Sequence, residues 1–168
     1  MKKKTKAVAF LGLCTTLALI LAYVEILMQP LFPAVPGIKM GLPNIVFVFL
    51  LYRFGAGSAI CVSGVRIILV SILFGNTVSL LYSVAGATLS LATMILLRRI
   101  KFFSCVGVSV AGSVMHNLGQ ILTAMLILDT TELGYYMAVL TVTGTIAGIL
   151  IGLCGSVVIK KVPQKLFA

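Results

Sequence analysis

The sequence predicts an all-α integral membrane protein: six transmembrane helices in one bundle, with both ends on the cytoplasmic side. Three observations predict it. Of 168 residues, 61% are hydrophobic and only 10% are charged, and the mean hydropathy is +1.22. A soluble domain of this size has too much surface for its volume to hide so much apolar area. The apolar residues fall in runs long enough to cross a bilayer, for which a helix needs about 20 residues, with a range of ~17–25. The basic residues lie almost wholly between those runs. The length leaves room for one domain, so 1–168 reads as a single transmembrane domain.

Span one, 7–28, follows Lys2, Lys3, Lys4 and Lys6. A basic start before an apolar run is also the pattern of a signal peptide. This run is longer than the ~7–15 residues of a typical h-region and no small-x-small cleavage site follows it, so it is kept as a span. Span two, 41–53, is short and comes after a proline-dense loop (Pro30, Pro33, Pro36, Pro43). A tilted or partly re-entrant path is open to it, but it is counted as a full crossing because the charges then fall into place. Spans three to six cover 56–74, 78–97, 104–128 and 135–159.

With the N-terminus inside, Lys2, Lys3, Lys4, Lys6, Arg53, Arg98, Arg99, Lys101, Lys160, Lys161 and Lys165 are all cytoplasmic. The outer connections hold Lys39 and the acids Asp129 and Glu132. The positive-inside rule asks for this division, and a five-span arrangement breaks it.

Several function classes are excluded or disfavoured. The net charge of +10 does not signal nucleic-acid binding, which needs a basic patch with polar and aromatic company rather than charges between apolar runs. Cys14, Cys61, Cys105 and Cys154 form no CxxC pair, and the chain has one histidine. No metal site is expected from such a set. The cysteines read as reduced, small apolar packing residues on the cytoplasmic half. No GxxxxGK[ST] loop is present. One aspartate and no carboxylate pair leave no site for a magnesium–diphosphate group, and neither a GxSxG elbow nor a supported Cys–His pair occurs. Catalysis by this chain alone is not expected, nor is a cofactor. Transport would draw its energy from a partner or an ion gradient.

Polar groups inside a bilayer are costly and need a partner or a purpose. Arg66 lies near the middle of span three, and Glu25, near the outer end of span one, is the only acid within a span. Two roles are open to Arg66. It can pair with Glu25 to fix helix register, or its planar fork can receive a carboxylate or phosphate of a ligand. In span five Ser109, Gly112, Ser113, His116, Asn117, Gln120 and Thr123 recur at spacings of three and four, so they share a face. Interhelical hydrogen bonding is the plainer reading of such a stripe. Side chains as large as His116, Asn117 and Gln120 at mid-membrane favour the wall of a polar cavity. His116 alone is most simply a satisfied core residue.

Span four repeats the theme with Ser79, Tyr82, Ser83, Gly86, Ser90 and Thr93. Span six carries Gly144, Gly148 and Gly152 at four-residue spacing, flanked by Thr141 and Thr145, a pattern for close bundle packing. Ala18 and Ala22 in span one have the same spacing and suit either an internal contact or a partner protein. Glu25, Lys39, Asn44 and Asn76 map to the outer side, so a pocket joining them to Arg66, His116, Asn117 and Gln120 would open outward.

The run Gly41-Leu42-Pro43-Asn44-Ile45, the arginine in span three, Leu80-Leu81-Tyr82-Ser83-Val84-Ala85-Gly86, and Val108-Ser109-Val110-Ala111-Gly112 leading to His116-Asn117-Leu118-Gly119-Gln120 together resemble one bacterial membrane family. It is the Gx transporter family, also known as heptaprenyl diphosphate synthase component I. The similarity covers nearly the whole chain, and His-Asn-x-Gly-Gln is its most specific part. The transporter name implies a fold similar to the substrate-binding (S) components of energy-coupling factor transporters. These capture a small molecule from outside and depend on a coupling membrane protein with two ATPases. That resemblance implies a partner contact at Ala18 and Ala22, and a place in the bacterial cytoplasmic membrane. The synthase name implies a non-catalytic partner of a prenyl-elongating enzyme that makes quinone side chains.

Two functions from different classes follow. The first is a substrate-binding component of a transporter, with Arg66, His116, Asn117 and Gln120 lining the site, Glu25 and Asn44 near its mouth, and a small, anionic ligand. The second is an accessory subunit that anchors a prenyl synthase catalytic subunit through the basic loops, especially Arg98, Arg99 and Lys101. An autonomous ion-coupled carrier is disfavoured, because six short helices leave little room for two alternating halves.

Overall fold

The computed structural model describes residues 2–28, 41–74, 77–100 and 102–162. The proline loop with Lys39, and also Asn76, Lys101 and Lys165, lie outside the described residues. Six α-helices run in order: α1 Lys2–Met28, α2 Asn44–Arg53, α3 Ala56–Phe74, α4 Thr77–Arg99, α5 Cys105–Leu128 and α6 Tyr136–Lys161, with a 3-10 turn at Glu132–Tyr135 leading into α6. A helix lies at each of the six predicted spans. Five of the helices are long and apolar enough to cross a membrane, and α2 is the shorter sixth.

Local chemistry sets the boundaries. Gly55 has φ +89, and its N–H and that of Phe54 both return to the Leu50 carbonyl, at 3.0 and 2.8 Å. A glycine in the left-handed region is the usual way to close a helix and turn the chain, so only Phe54 and Gly55 separate α2 from α3. Ser104 caps α5 by accepting from the Gly107 N–H at 3.1 Å, which satisfies one of the free donors of its first turn. Asp129 ends the same helix in the left-handed conformation, φ 47.

Polarity is inverted relative to a water-soluble fold. Ser63, Arg66, Ser90, Ser109, Ser113, His116, Asn117 and Gln120 are buried, while Leu17, Ile20, Ile68, Ile72, Leu126, Val142, Ile146 and Leu150 are exposed. Backbone polar groups are satisfied inside each helix, and the outward apolar side chains need a hydrocarbon solvent. Cys14 is buried, but Cys61 and Cys154 face outward with them, so packing explains only the first of the three.

The shortest helix is the hub. α2 is apolar all round, and Val46, Phe47, Val48, Phe49, Leu50 and Leu51 are all buried. A helix without a polar face belongs inside a bundle, and α2 touches each of the other five helices. The helices alternate in direction. Glu25 meets Gly41 and Phe10 stacks on Phe54, so α2 runs against α1. Tyr23 packs on Phe74 with ring centroids 4.9 Å apart, so α3 runs with α1.

α4, α5 and α6 form the tightest part of the bundle. A Cβ on Gly148 would lie 2.6 Å from the Val110 Cα, and one on Gly152 would lie 2.7 Å from the Val106 Cα. The glycine face of α6 is therefore filled by α5. Gly119 meets the Ala85 carbonyl in the same way, which brings α5 onto α4.

One end of this bundle is basic. Arg53 donates through Nη2 to the carbonyls of Ile159 and Val162, the second at 2.8 Å. Arg98 lies over the Tyr52 ring, 5.2 Å from its centroid. The start of α1 and the end of α6 are both at this end.

Candidate functional site

Ten residues of helix span about 15 Å, half of the ~30 Å hydrocarbon core. α2 rises from the basic end, and its first turn stands beside the middle of α5. Within the predicted span 41–53 the helix begins only at Asn44, so its length is about half that depth. The cause is local. Gly41 takes φ +85, and Pro43 precedes the first helical residue, where a missing N–H and a fixed φ are tolerated.

Glu25 holds the chain at this point. Its Oε1 accepts from the Gly41 N–H and from the Leu42 N–H at 3.2 Å. The carboxylate so stands against the positive end of α2, where an anion is favoured. Around Gly41 the other polar groups converge. A Cβ there would lie 2.9 Å from the Asn44 Nδ2 and 3.6 Å from the His116 Cδ2. His116 and Gln120, one turn apart on α5, share a hydrogen bond of 3.2 Å between Nε2 atoms. Gly86 of α4 makes room for this pair, with His116 Cε1 3.0 Å from where its Cβ would stand.

Arg66 sits one turn deeper, and only 2% of it is exposed. Its guanidinium lies over the Phe47 ring, 5.6 Å from the centroid, and Phe47 is one turn beyond Asn44 on α2. The charge of Glu25 acts on it. Even so, its Nε has no hydrogen-bond partner, and neither has the Nδ2 of Asn44. Arg66 lies about 15 Å from the first residue of α3 and about 12 Å from the last, counted at 1.5 Å per residue. Two polar groups of this kind in the middle of a bilayer protein have unspent capacity to donate to a ligand.

Of the expected site residues, the structure gathers Glu25, Asn44, His116 and Gln120 around Gly41, while Arg66 meets α2 one turn on, at Phe47. Asn117 is elsewhere. Its Nδ2 donates to the Leu140 carbonyl at 2.8 Å and crowds Gly144, so it joins α5 to α6. Its physical reason is the 100° between neighbouring residues on a helix, which turns Asn117 away from its neighbour His116. Ala18 and Ala22, to which both an internal contact and a partner contact were open, are buried, at 0% and 1% exposure.

Phe47 was not singled out in the sequence, and Gly41 entered only as part of the run that carries the family resemblance. Phe47 carried a signal, being three residues from Asn44 and so on its face. Gly41 is the glycine of a Gly-x-Pro turn, where the backbone and not a side chain is used.

The family model for heptaprenyl diphosphate synthase component I matches residues 14–158. The chain belongs to that family. The match spans α2 to α5 in full and so includes every residue of the cluster around Arg66. No curated protein and no solved structure matches significantly. As a component I, this chain implies a catalytic partner subunit in its family's naming.

Proposed function

We propose that this component I chain is the membrane-embedded binding subunit of a small-molecule transporter, with energy supplied by partner proteins. Arg66 receives an anionic group of the ligand, Asn44 donates a second hydrogen bond, and His116 and Gln120 flank them. Glu25 positions the Gly41–Leu42 turn and does not contact the ligand. The single observation that carries this reading is the buried Arg66 whose Nε is unpartnered. A group meant only to lock two helices would be expected to spend its donors on them.

In this reading the site opens away from the basic end. The chain lies in the bacterial cytoplasmic membrane with both termini inside, in keeping with the positive-inside rule. The test is thermal unfolding of the purified full chain in nanodiscs. A small anion that binds should raise the melting temperature of the wild type and not that of Arg66→Ala. An equal rise in both would remove Arg66 from the site.

The family description favours a second reading, a non-catalytic subunit that holds a prenyl synthase at the membrane. It draws on the basic end, where Arg98, Arg99, Lys160 and Lys161 stand with the exposed Phe102. Co-purification of a soluble synthase subunit that is lost on charge reversal at Arg98 and Arg99 would support it. Unchanged recovery would count against it.

A further inference from the structure

We infer that the ligand of the Arg66 site carries a single carboxylate as its only anionic group, and not a diphosphate. This rests on the binding reading above and names the class of substrate. The inference comes from the fixed charges among the described residues around the site. Arg66 contributes one positive charge at 2% exposure. The N-terminus of α2 adds about half a charge of the same sign. Asn44 opens that helix, and Phe47, one turn on, lies against the Arg66 guanidinium. Glu25, 4% exposed, already answers with one negative charge on the Gly41 and Leu42 N–H groups.

The remainder is a small positive excess. One carboxylate leaves only about half a negative charge over, whereas a diphosphate would leave a much larger negative excess in a low-dielectric interior, where such charge is costly. Donor geometry agrees. Among the described residues, the Arg66 Nε and the Asn44 Nδ2 are buried and unpartnered, as is the hydroxyl of Ser63, one turn before Arg66 on α3. The Nε edge of a guanidinium presents two parallel N–H bonds, a fork that fits the two oxygens of one carboxylate. Diphosphate sites are built differently, with several cations, a magnesium ion or a run of backbone N–H groups. The backbone N–H groups at the head of α2 are already used: those of Asn44, Ile45 and Val46 return to the carbonyls of Gly41, Leu42 and Pro43 at 2.9 to 3.2 Å.

The experiment compares two sets of probes on the full chain in phosphatidylcholine nanodiscs, with the melting temperature as the readout. One set is the common L-amino acids and short monocarboxylates. The other is inorganic diphosphate and farnesyl diphosphate. We expect at least one member of the first set to raise the melting temperature by several degrees in the wild type, to do so less in Arg66→Lys, and to have no effect in Arg66→Met. The second set should leave all three unchanged. Arg66→Lys keeps the charge without the fork, so it guards against a variant that simply misfolds.

A diphosphate that stabilises through Arg66 would overturn the carboxylate class and leave the binding reading standing. Stabilisation by either set that persists in Arg66→Met would overturn both. No shift from any carboxylate would overturn the class, with the transporter reading then resting on what co-purifies with the chain.

Discussion

Arg66 and Glu25 are both buried charges. Replacing a whole buried ion pair by uncharged side chains is often neutral or stabilising by about 1–4 kcal/mol, whereas removing one partner costs about 3–5 kcal/mol. Arg66→Met alone should therefore melt below the wild type when no ligand is present, whereas Arg66→Met combined with Glu25→Gln should melt at or above it, and neither should respond to ligand. A large drop in the melting temperature of the empty double variant would make Arg66 structural. Gly41 provides a second test at this scale. Its φ of +85 and the Asn44 Nδ2 2.9 Å from where a Cβ would stand both oppose a side chain, and the left-handed conformation alone costs about 1–2 kcal/mol for a non-glycine residue. Gly41→Ala should lower thermal stability and weaken ligand-dependent stabilisation together. Unchanged values would mean that the turn held by Glu25 does not shape the site.

Among the helices, the glycines divide into two kinds. Gly148 has the Val110 backbone 2.6 Å from its Cβ position, whereas Gly12 and Gly64 have nothing within 4 Å. Gly148→Leu must force α5 and α6 apart, and overpacking of this sort costs about 1–3 kcal/mol or more. Gly12→Ala and Gly64→Ala should leave the melting temperature unchanged or slightly raised. Denaturation of the three variants in detergent measures the contrast, and equal losses would mean that the α5–α6 contact is not close. The same scale shows what the sequence reveals. The six apolar runs and their ends are legible because apolar length and charge placement carry them directly. Which residues lie on the buried side of a helix is legible too, as the stripe from Ser109 to Gln120 shows. Which neighbour a face meets is not, because that depends on how helices pack. Hence Asn117, one residue from His116, turns to Leu140, and Ala18 and Ala22 turn inward. The half-length of α2 was only partly visible, since a short apolar run beside prolines fits several paths through a bilayer.

Among the described residues, the larger polar side chains within the spans are buried together with the apolar α2, the outward faces are apolar, and the arginines other than Arg66 collect at one end. α2 connects the two regions of interest. Its head, at Asn44, lies in the polar cluster, and its foot carries Arg53, bound to the last carbonyls of α6. Fusing a fluorescent protein to either terminus should give a fluorescent product in cells, and fusing a periplasmic phosphatase should give an inactive one. An active phosphatase at one terminus would break the alternating arrangement. The central claim, that Arg66 holds a small anionic ligand in the middle of this bundle, is tested most directly by mass spectrometry. The wild-type chain and Arg66→Ala would each be purified gently from their native membrane, and the small molecules retained by each compared. A compound that leaves with the wild type and is absent from the variant is the predicted result. The same compounds on both, or none on the wild type, would contradict it.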